Sequence, residues 1–503
     1  MNPELKLEMF RAYDIRIPSA DLTPALAARL AHAVARYLRE ELDAAGVIVA
    51  HDARATGPHY LTIAAEIFQR AGLEVLYLPG ASSASLFYFT AMQHPQCAGV
   101  MFGASHNPAG DTGLKILGPG VRPIAQDIGP RGGLNRITEL YIEGASARDA
   151  PRGRLVALDN MRDYVQYSLN LAGVAPGQLE GVRVFHDYLF GSGGREMMLA
   201  FQVAGAALRP LHYTPDGRFP LGDPNPVKPD VIREGLQALR EGKFLLGTLF
   251  DGDADRIDFY AGDGRYLASS FVYAAVLPHI LERFGGQEAG VFADLKSNPL
   301  AVIEMAKAGV TVEVIRNGHS QIKNAMFDDP RMIGAVEESA HFYEAFTYEG
   351  QGPYCTENTL YIALLATRAW RENPGRFQEL FALQGRTRRE REWGHYFPDD
   401  AKRSRALDAV QAHFESLGAK SMQETRGGLK LEATLMRRGL PFDTDRDTQL
   451  APDWLQVSQR VSQSENRLAR WEVVAATAEI AAGAKADILR IVGEFGASEP
   501  YQG

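Results

Sequence analysis

The chain has 503 residues, of which 46% are hydrophobic, and a chain of this length is expected to form about three or four domains. Its formal net charge of −9 argues against a broad surface for nucleic acid or anionic membrane, although a small basic pocket remains compatible with it. Only two cysteines occur, and there is no secretory-type leader or apolar run of about 18 residues, so we expect a cytoplasmic protein with no disulfide framework and no membrane span.

Strand-like and helix-like patterns alternate over most of the chain. The predicted strands lie at residues 47–50, 73–78, 98–102, 114–116, 182–185, 244–250 and 290–293. The predicted helices lie at residues 60–70, 231–240, 271–284 and 300–308. This alternation is typical of βαβ units with mostly parallel sheets covered on both faces. It predicts three similar α/β units.

The last third of the chain has a different pattern. A charged run at residues 386–391 is balanced in sign and is interpreted as a solvated face. Beyond it, the pattern predicts helices at residues 401–417 and 486–495 and strands at residues 429–432, 454–457 and 471–474. These elements predict a separate α+β unit.

A polar loop follows the apolar run at residues 98–102. It contains Ser105 and His106, then the turn-forming pair Asn107 and Pro108, and it leads to Lys115 on the next strand. Loops held by rigid strands often carry chemistry. From these residues alone, Ser105 is a nucleophile, a phosphate acceptor or only a turn residue. The GxSxG pattern of α/β-hydrolases is absent from the sequence, which disfavours a hydrolase triad.

Three aspartates at alternating positions follow a second apolar strand. Asp251, Asp253 and Asp255 cannot bury their charge without a cation. Carboxylate oxygens suit Mg²⁺, whereas the alternative is a solvated acidic turn. An EF-hand is excluded because Arg256 and Gly262 stand where that loop requires glycine and glutamate.

Two further stretches, at residues 337–341 and 460–464, are weaker signals on their own. Residues 337–341 place a carboxylate, a hydroxyl and an imidazole at the end of a strand, where they could bind vicinal sugar hydroxyls. Just upstream, residues 318–320 open a helix whose free N–H groups could hold an anion. Residues 460–464 offer a guanidinium and hydroxyls to a phosphate, with an ordinary polar strand end as the alternative.

In this order and spacing, the four stretches resemble the α-D-phosphohexomutase superfamily, and most closely its bacterial phosphomannomutase/phosphoglucomutase branch. Residues 10–16, FRAYDIR, are similar to the family's opening motif. The loop at residues 103–116 resembles its phosphoserine loop, residues 251–256 its magnesium loop and residues 337–341 its sugar-recognition loop. The resemblance spans nearly the whole chain.

The resemblance implies a four-domain, heart-shaped α/β protein built around one central cleft. The implied domains are three α/β domains with mixed sheets at residues 1–160, 161–261 and 262–376, and a C-terminal α+β domain at residues 377–503. The implied activity interconverts hexose 1-phosphate and hexose 6-phosphate, of mannose or glucose, through a phosphoserine and a 1,6-bisphosphate. The partner is then a small sugar phosphate, and the protein is expected to be a monomer or homodimer.

The resemblance also assigns roles to individual residues. The implied catalytic residues are Ser105, His106, Lys115, Arg16 and Arg256. Mg²⁺ would be held by Ser105, Asp251, Asp253 and Asp255, and hexose 1,6-bisphosphate would be the activator and intermediate. The implied substrate-binding residues are Tyr13, Arg316, Glu337, Ser339, His341, Arg460, Ser462 and Ser464. For Lys115 to act as a base, we expect its pKa to be lowered.

Some positions depart from the family pattern, and alternatives follow from them. Gly103 stands where threonine is usual, and the terminal loop RVSQSEN replaces the pattern R-x-S-x-T-E-P. One alternative is a phosphoglucosamine-type mutase, and another is a non-catalytic relative that binds sugar phosphates. A third is an enzyme that uses Asp251 as a phosphorylated nucleophile, which would leave Ser105 without a role.

Overall fold

The computed structural model describes residues 4–144, 146–147, 150–285, 288–425, 427–462 and 465–501. The first region contains the strands β1 (Ile15–Pro18), β2 (Gly46–His51), β3 (Glu74–Ala81), β4 (Cys97–Phe102), β5 (Asp111–Gly118), β6 (Arg122–Ile124) and β7 (Leu155–Ala157). Its helices are α1 (Pro24–Arg36), α2 (Gly57–Arg70), α3 (Ala84–Gln93) and α4 (Leu134–Glu143).

These strands form one mixed sheet. Its order is β1-β5-β4-β2-β3-β7, and β6 pairs with β5. Strands β4, β2, β3 and β7 are parallel to one another, whereas β5 is antiparallel to its neighbours β1, β4 and β6. Strand β4 is buried along its whole length, as expected for a central parallel strand covered on both faces. The site loop leaves from the end of this strand.

The second region repeats the α/β plan. Its elements are α5 (Met161–Leu171), β8 (Arg183–Asp187), α6 (Gly194–Val203), β9 (Ala207–Leu211), α7 (Pro229–Glu241), β10 (Leu246–Phe250), β11 (Ile257–Ala261) and β12 (Tyr266–Leu267). The sheet order is β12-β11-β10-β8-β9, with parallel pairing among β10, β8 and β9. Strand β10 is buried at every residue, so the segment that follows it starts inside the protein.

The third region also alternates strands with helices. Its elements are α8 (Ser269–Glu282), β13 (Gly290–Asp294), α9 (Pro299–Lys307), β14 (Thr311–Ile315), α10 (His319–Asp328), β15 (Met332–Glu337), β16 (His341–Tyr348), β17 (Gln351–Glu357), α11 (Thr359–Glu372) and α12 (Pro374–Gly385). Strand β13 lies between β14 and β15 and is parallel to both. Strands β16 and β17 form an antiparallel hairpin.

The C-terminal region is an antiparallel sheet with two helices. Its elements are β18 (Arg388–Tyr396), α13 (Asp400–Ser416), β19 (Lys420–Glu424), β20 (Lys430–Arg438), β21 (Leu455–Val461), β22 (Leu468–Ala475) and α14 (Ala478–Gly493). The order is β18-β22-β21-β20-β19, with every neighbouring pair antiparallel. Trp393 and Trp471 are buried in its core. The α/β class with mixed sheets, and the α+β character of the last third, are confirmed.

The described residues group into two compact units. The first comprises the described residues within 4–267, 319–330 and 339–372. The second comprises those within 268–318, 331–338 and 373–501. The four domain boundaries proposed from the sequence stay predictions.

The charged run at residues 386–391 is a solvated face in part, because Arg386, Arg388 and Arg391 are exposed. Residues 388–391 form the start of β18. Arg389 is only 18% exposed and donates to the buried carboxylates of Glu472, at 2.6 Å, and Glu338, at 2.9 Å. The sequence pattern does not reveal this pairing, because the two carboxylates lie far from Arg389 along the chain.

The pairing of β1 with β5 leads to a stability prediction. Gly113 lies opposite Arg16 in this pair, and a Cβ at this position would lie 2.1 Å from the Ile15 carbonyl oxygen. Gly113→Ala should therefore separate the strands that carry Arg16 and Lys115, at a cost of about 1–3 kcal/mol. Gly110→Ala is the matched control, because a Cβ there meets nothing within 4 Å. Thermal unfolding of both variants measures the effect, and equal melting temperatures would contradict it.

Candidate active site

Ser105 lies on the loop between β4 and β5 in a left-handed conformation, with φ = 49°. Such a backbone is strained for a residue with a side chain and is held only where the surroundings require it. The side chain is buried, and its Oγ donates to Asp251 Oδ2 at 2.6 Å. Nδ1 of His106 lies 3.2 Å from the same Oγ. The structure therefore joins the serine loop to the aspartate segment.

The three predicted metal-binding aspartates lie directly after β10 and are all buried. One oxygen from each lies within 4.8 Å of the others. Burial and the charges of Asp253 and Asp255 raise the pKa of Asp251 well above its ordinary value. For Asp255, burial alone would raise the pKa, but Lys115, His341 and Arg256 lower it well below the ordinary value.

This set of oxygens fits a hard divalent cation. Within the described part of the chain, Asp253 Oδ1 and Asp255 Oδ1 are buried and have no hydrogen-bond partner. Buried carboxylate oxygens without donors are costly unless a cation neutralises them. Oxygen ligands alone are the coordination that Mg²⁺ prefers. The residues present therefore fit the ion implied by the sequence.

Lys115 provides positive charge within this cluster. Its Nζ lies 2.6 Å from Asp253 Oδ2 and 2.5 Å from Asp255 Oδ2. Burial alone would lower its pKa, but these two carboxylates raise it well above its ordinary value. The lowered pKa expected from the sequence is therefore wrong, because the charges closest to the ammonium are negative.

The two predicted arginines bind different parts of the same cluster. Arg16 pairs with Asp14 at 2.7 Å and donates to the Ala104 carbonyl and to Asn107 Oδ1, at 2.8 Å, on the serine loop. The backbone N–H of Arg256 donates to Asp251 Oδ1 at 3.2 Å. Both guanidinium groups are mostly buried, at 18% exposure each. They add positive charge around Ser105.

His341 extends the cluster toward a second pair of charges. Its Nε2 accepts from Arg256 Nε at 3.0 Å. Its Nδ1 faces Asp255 at 3.8 Å and Glu357 at 3.6 Å. Glu357 is also paired with the buried ammonium of Lys323 at 2.5 Å. Glu357 and Lys323 were not predicted from the sequence, because they lie far from the four stretches that carry the motifs.

Burial also affects two neighbouring imidazoles. The pKa of His106 is well below its ordinary value because of burial and the positive charges of Arg256 and Arg16. Burial and the nearby lysine ammonium groups lower the pKa of His319 in the same way. Both rings are therefore held neutral.

Two predicted substrate-binding residues lie beside these groups in the first unit. Tyr13 packs against His319, with ring centroids 6.1 Å apart. Ser339 is half-buried in the turn before β16. Neither residue belongs to the buried charge cluster, so their predicted contacts with a sugar stay predictions.

The sequence analysis also missed Asp52 and Arg54, which follow β2 and are fully buried. Asp52 Oδ2 accepts from the Ala104 N–H at 3.1 Å. A Cβ on Gly103 would lie only 2.7 Å from this oxygen. The departure of Gly103 from the family's threonine thus has a physical reason, because the Asp52 carboxylate fills that space. The signal available in the sequence was a buried-strand end followed by two charged residues.

Two predicted residues lie in the second unit around β15. Oε1 of Glu337 accepts from the Gly318 N–H at 3.0 Å and from Asn317 Nδ2 at 3.2 Å. Asn317 also donates to Asp294 at 2.6 Å, and burial raises the pKa of Asp294 to about 7. Arg316 is paired with Glu432. Glu337 is therefore held at the end of its strand by neighbouring donors.

The C-terminal loop was predicted to bind phosphate. The Arg460 guanidinium makes a two-pronged contact with Glu392, from Nη2 to Oε1 at 2.9 Å and from Nε to Oε2 at 3.2 Å, and Arg470 lies 3.1 Å from the same carboxylate. Ser462, two residues after Arg460 in the chain, is buried. Ser464 lies outside the described residues. Strands β21 and β22 therefore place the guanidinium groups of Arg460 and Arg470 at one carboxylate, and arginine binds phosphate with the same two-pronged geometry.

Comparison with known families gives two matches along the chain. Residues 7–129 match the family described as phosphoglucomutase/phosphomannomutase, alpha/beta/alpha domain I, and residues 162–264 match its alpha/beta/alpha domain II. The first match contains the serine loop, and the second contains the three aspartates. In the described part of the chain, no helix combines the length and the apolar character needed to cross a membrane.

The chain is also similar to curated proteins that are named phosphomannomutase. The phosphomannomutase of Salmonella typhimurium is 28% identical over 353 residues, which cover 69% of this chain and 75% of the relative. A phosphomannomutase of Escherichia coli is 26% identical over 377 residues, covering 72% and 81%.

Solved structures share the fold. A phosphoglucomutase/phosphomannomutase family protein from Burkholderia thailandensis has a TM-score of 0.77 and 18% identity, with 98% of each chain covered. The N-acetylphosphoglucosamine mutase of Aspergillus fumigatus, in complex with GlcNAc-6P and magnesium, has a TM-score of 0.57 and 14% identity, with 97% and 96% covered.

The aspartate cluster predicts a specific loss of metal binding. Asp253→Asn removes one of three negative charges and should weaken Mg²⁺ binding at least about tenfold, a loss that even an outer-shell partner of a metal ligand can cause. Asp263→Asn, at an exposed aspartate, is the control. Titration calorimetry with MgCl₂ measures both variants beside the wild type. Equal affinity in Asp253→Asn and the wild type would show that the cluster is not the magnesium site.

Proposed function

The chain belongs to the α-D-phosphohexomutase superfamily and is a mutase, and we propose that it interconverts the 1- and 6-phosphates of mannose or glucose. The reaction would proceed through phosphorylated Ser105 and a hexose 1,6-bisphosphate. The observation that carries this proposal is the contact of Ser105 Oγ with Asp251, 2.6 Å long, inside a buried cluster of three aspartates. The protein would act on this small substrate in the cytoplasm, as a monomer or homodimer.

Ser105 is proposed to carry the phosphoryl group. A phosphoserine has a charge of about −1.5 to −2 at neutral pH, which would be costly beside three carboxylates without added positive charge. Asp251, Asp253 and Asp255, with the phosphorylated Ser105, would hold Mg²⁺, and the bound ion supplies that charge. Arg16 adds to it from the other side of the loop.

Lys115 is proposed to move the proton. In the first transfer, the bond from phosphorus to Ser105 Oγ breaks while a bond to a free sugar hydroxyl oxygen forms; the Lys115 ammonium gives a proton to the leaving Oγ and takes the proton of the hydroxyl. In the second transfer, the bond from the other phosphorus to its sugar oxygen breaks while a bond to Ser105 Oγ forms; the lysine ammonium gives a proton to the leaving sugar oxygen and takes the proton of Oγ. The ammonium form paired with Asp253 and Asp255 is the form that gives the proton.

Substrate recognition is proposed to use the residues that the family resemblance assigns to it. Glu337 and Ser339 would bind sugar hydroxyls, and Tyr13, Arg316 and His341 would orient the sugar. The distal phosphate would be bound by the C-terminal loop, through Arg460, Ser462 and Ser464. The support for this part is the family resemblance, together with the two-pronged contact that Arg460 makes with a carboxylate.

The role of Ser105 is tested by labelling. Wild-type protein incubated with ³²P-labelled glucose 1,6-bisphosphate and Mg²⁺ should acquire acid-stable phosphate on Ser105, and Ser105→Ala should acquire none. Ser416→Ala, at an exposed helix end, is the control and should label normally. Hydroxylamine-labile label retained by Ser105→Ala would instead identify an acyl phosphate, with Asp251 as the nucleophile.

The role of Arg460 is tested by kinetics. Arg460→Lys replaces a planar two-pronged donor with a point charge and should lose one charge-assisted hydrogen bond to the distal phosphate. We expect KM for glucose 1-phosphate to rise about tenfold, with a smaller change in kcat. Arg446→Lys, at an exposed arginine of the same unit, is the control. An unchanged KM in Arg460→Lys would count against the proposed phosphate pocket.

A further inference from the structure

Arg54 has no role in the proposed chemistry, yet every donor of its guanidinium is used. A guanidinium has five N–H groups in a fixed plane. Nε donates to Asp52 Oδ2 at 3.2 Å. The remaining four N–H groups donate to backbone carbonyls of the serine loop, those of Ser105 at 3.1 Å, Asn107 at 2.7 Å, Asp111 at 3.0 Å and Pro108. The side chain is 1% exposed.

These carbonyls belong to the segment that contains the strained residue. Ser105 has a positive φ, and its own carbonyl accepts from Arg54. A Cβ on Gly252 would lie 2.5 Å from that carbonyl oxygen, so the aspartate segment passes directly against it. The loop thus contacts both the arginine and the segment that follows β10. This arrangement fixes the direction of Ser105 Oγ toward Asp251.

The outer face of Arg54 is covered by a segment of the second region. The Phe219 ring lies over the guanidinium, with 5.2 Å between Cζ and the ring centroid. A Cβ on Gly217 would lie 2.5 Å from Ala55 N and 2.6 Å from the Ala53 carbonyl oxygen, so the two backbones touch. The covering segment keeps water away from the hydrogen bonds between Arg54 and the serine loop, so water does not compete for their donors and acceptors.

We propose that Arg54 is a positioning residue, which holds the loop so that Ser105 Oγ is aligned for phosphoryl transfer. This inference rests on the proposed function of Ser105. The five hydrogen bonds of the Arg54 guanidinium go to Asp52 and to the backbone of the loop, so it acts on the alignment of the nucleophile and not on substrate binding. Because a lysine has three donors on one nitrogen, it cannot replace the planar set of five.

Kinetics of Arg54→Lys provide the first test. A misplacement of about 1 Å can cost about 100-fold in rate, so we expect kcat for glucose 1-phosphate to fall about 100-fold while KM changes less than twofold. The matched control is Arg29→Lys. Arg29 donates to two backbone carbonyls, of Tyr141 and Ile142, both at 2.7 Å, and lies outside the proposed site. The kcat of Arg29→Lys should stay at the wild-type value. Equal losses of kcat in both variants would show that Arg54 has only a general structural role and would overturn the proposal.

Hydrogen–deuterium exchange of the full chain provides a test that needs no turnover. Amides in residues 103–111 should exchange faster in Arg54→Lys than in the wild type and should be unchanged in Arg29→Lys. If the wild type shows no mutase activity but this exchange difference is found, the proposed function fails while the positioning role stands. If exchange and kcat are both unchanged in Arg54→Lys, the positioning role is wrong.

A second variant keeps the test open if Arg54→Lys does not fold. Gly217→Ala keeps the arginine at position 54. The added Cβ would displace the backbone of residues 53–55, which Gly217 contacts closely. We expect the same direction of change as in Arg54→Lys, with a smaller loss of kcat and faster exchange confined to the serine loop. A wild-type kcat and wild-type exchange in Gly217→Ala would overturn the inference.

Discussion

Three buried carboxylates follow one strand, and their negative charge must be neutralised by nearby positive charge. The positions of the other charged side chains of the candidate site in the first unit follow from this requirement. Asp251, Asp253 and Asp255 follow a strand that is buried at every residue, so they cannot reach solvent. Lys115 is brought to them by the strand that leaves the serine loop. The same negative charge that holds the lysine is what a divalent cation would neutralise. Ser105 is positioned by its contact with one of these aspartates.

Part of this site was predictable because the residues that form it lie close together in the sequence. Acidic residues at alternating positions after an apolar strand need a cation to neutralise their charge when they are buried. The sequence alone therefore identifies Asp251, Asp253 and Asp255 as candidate ligands. The strands that carry them were recognised by continuous apolar runs, which buried parallel strands require. Ser105 and Lys115 gained roles only through resemblance, since a serine in a turn has no distinctive pattern.

The remainder of the site could not be predicted, because it depends on contacts between distant residues. Arg54 binds the serine loop through backbone carbonyls, which leave no signal in side-chain periodicity. Glu357 and Lys323 form a buried pair whose members are unremarkable in sequence. Lys115 was expected to have a lowered pKa from the general idea of a cationic cleft, whereas its closest charges are carboxylates. Arg389 lies on a strand whose charges are paired with residues of other segments.

We propose that this chain is a phosphohexomutase working through Ser105. The most direct measurement is a coupled assay of the wild-type protein with Mg²⁺, a trace of hexose 1,6-bisphosphate, and mannose 1-phosphate or glucose 1-phosphate in parallel. We predict formation of the corresponding 6-phosphate from at least one of the two sugars, and the ratio of rates ranks them. Absence of turnover on both sugars by the folded protein would contradict the claim, and the altered terminal loop would then indicate a different substrate or a binding role.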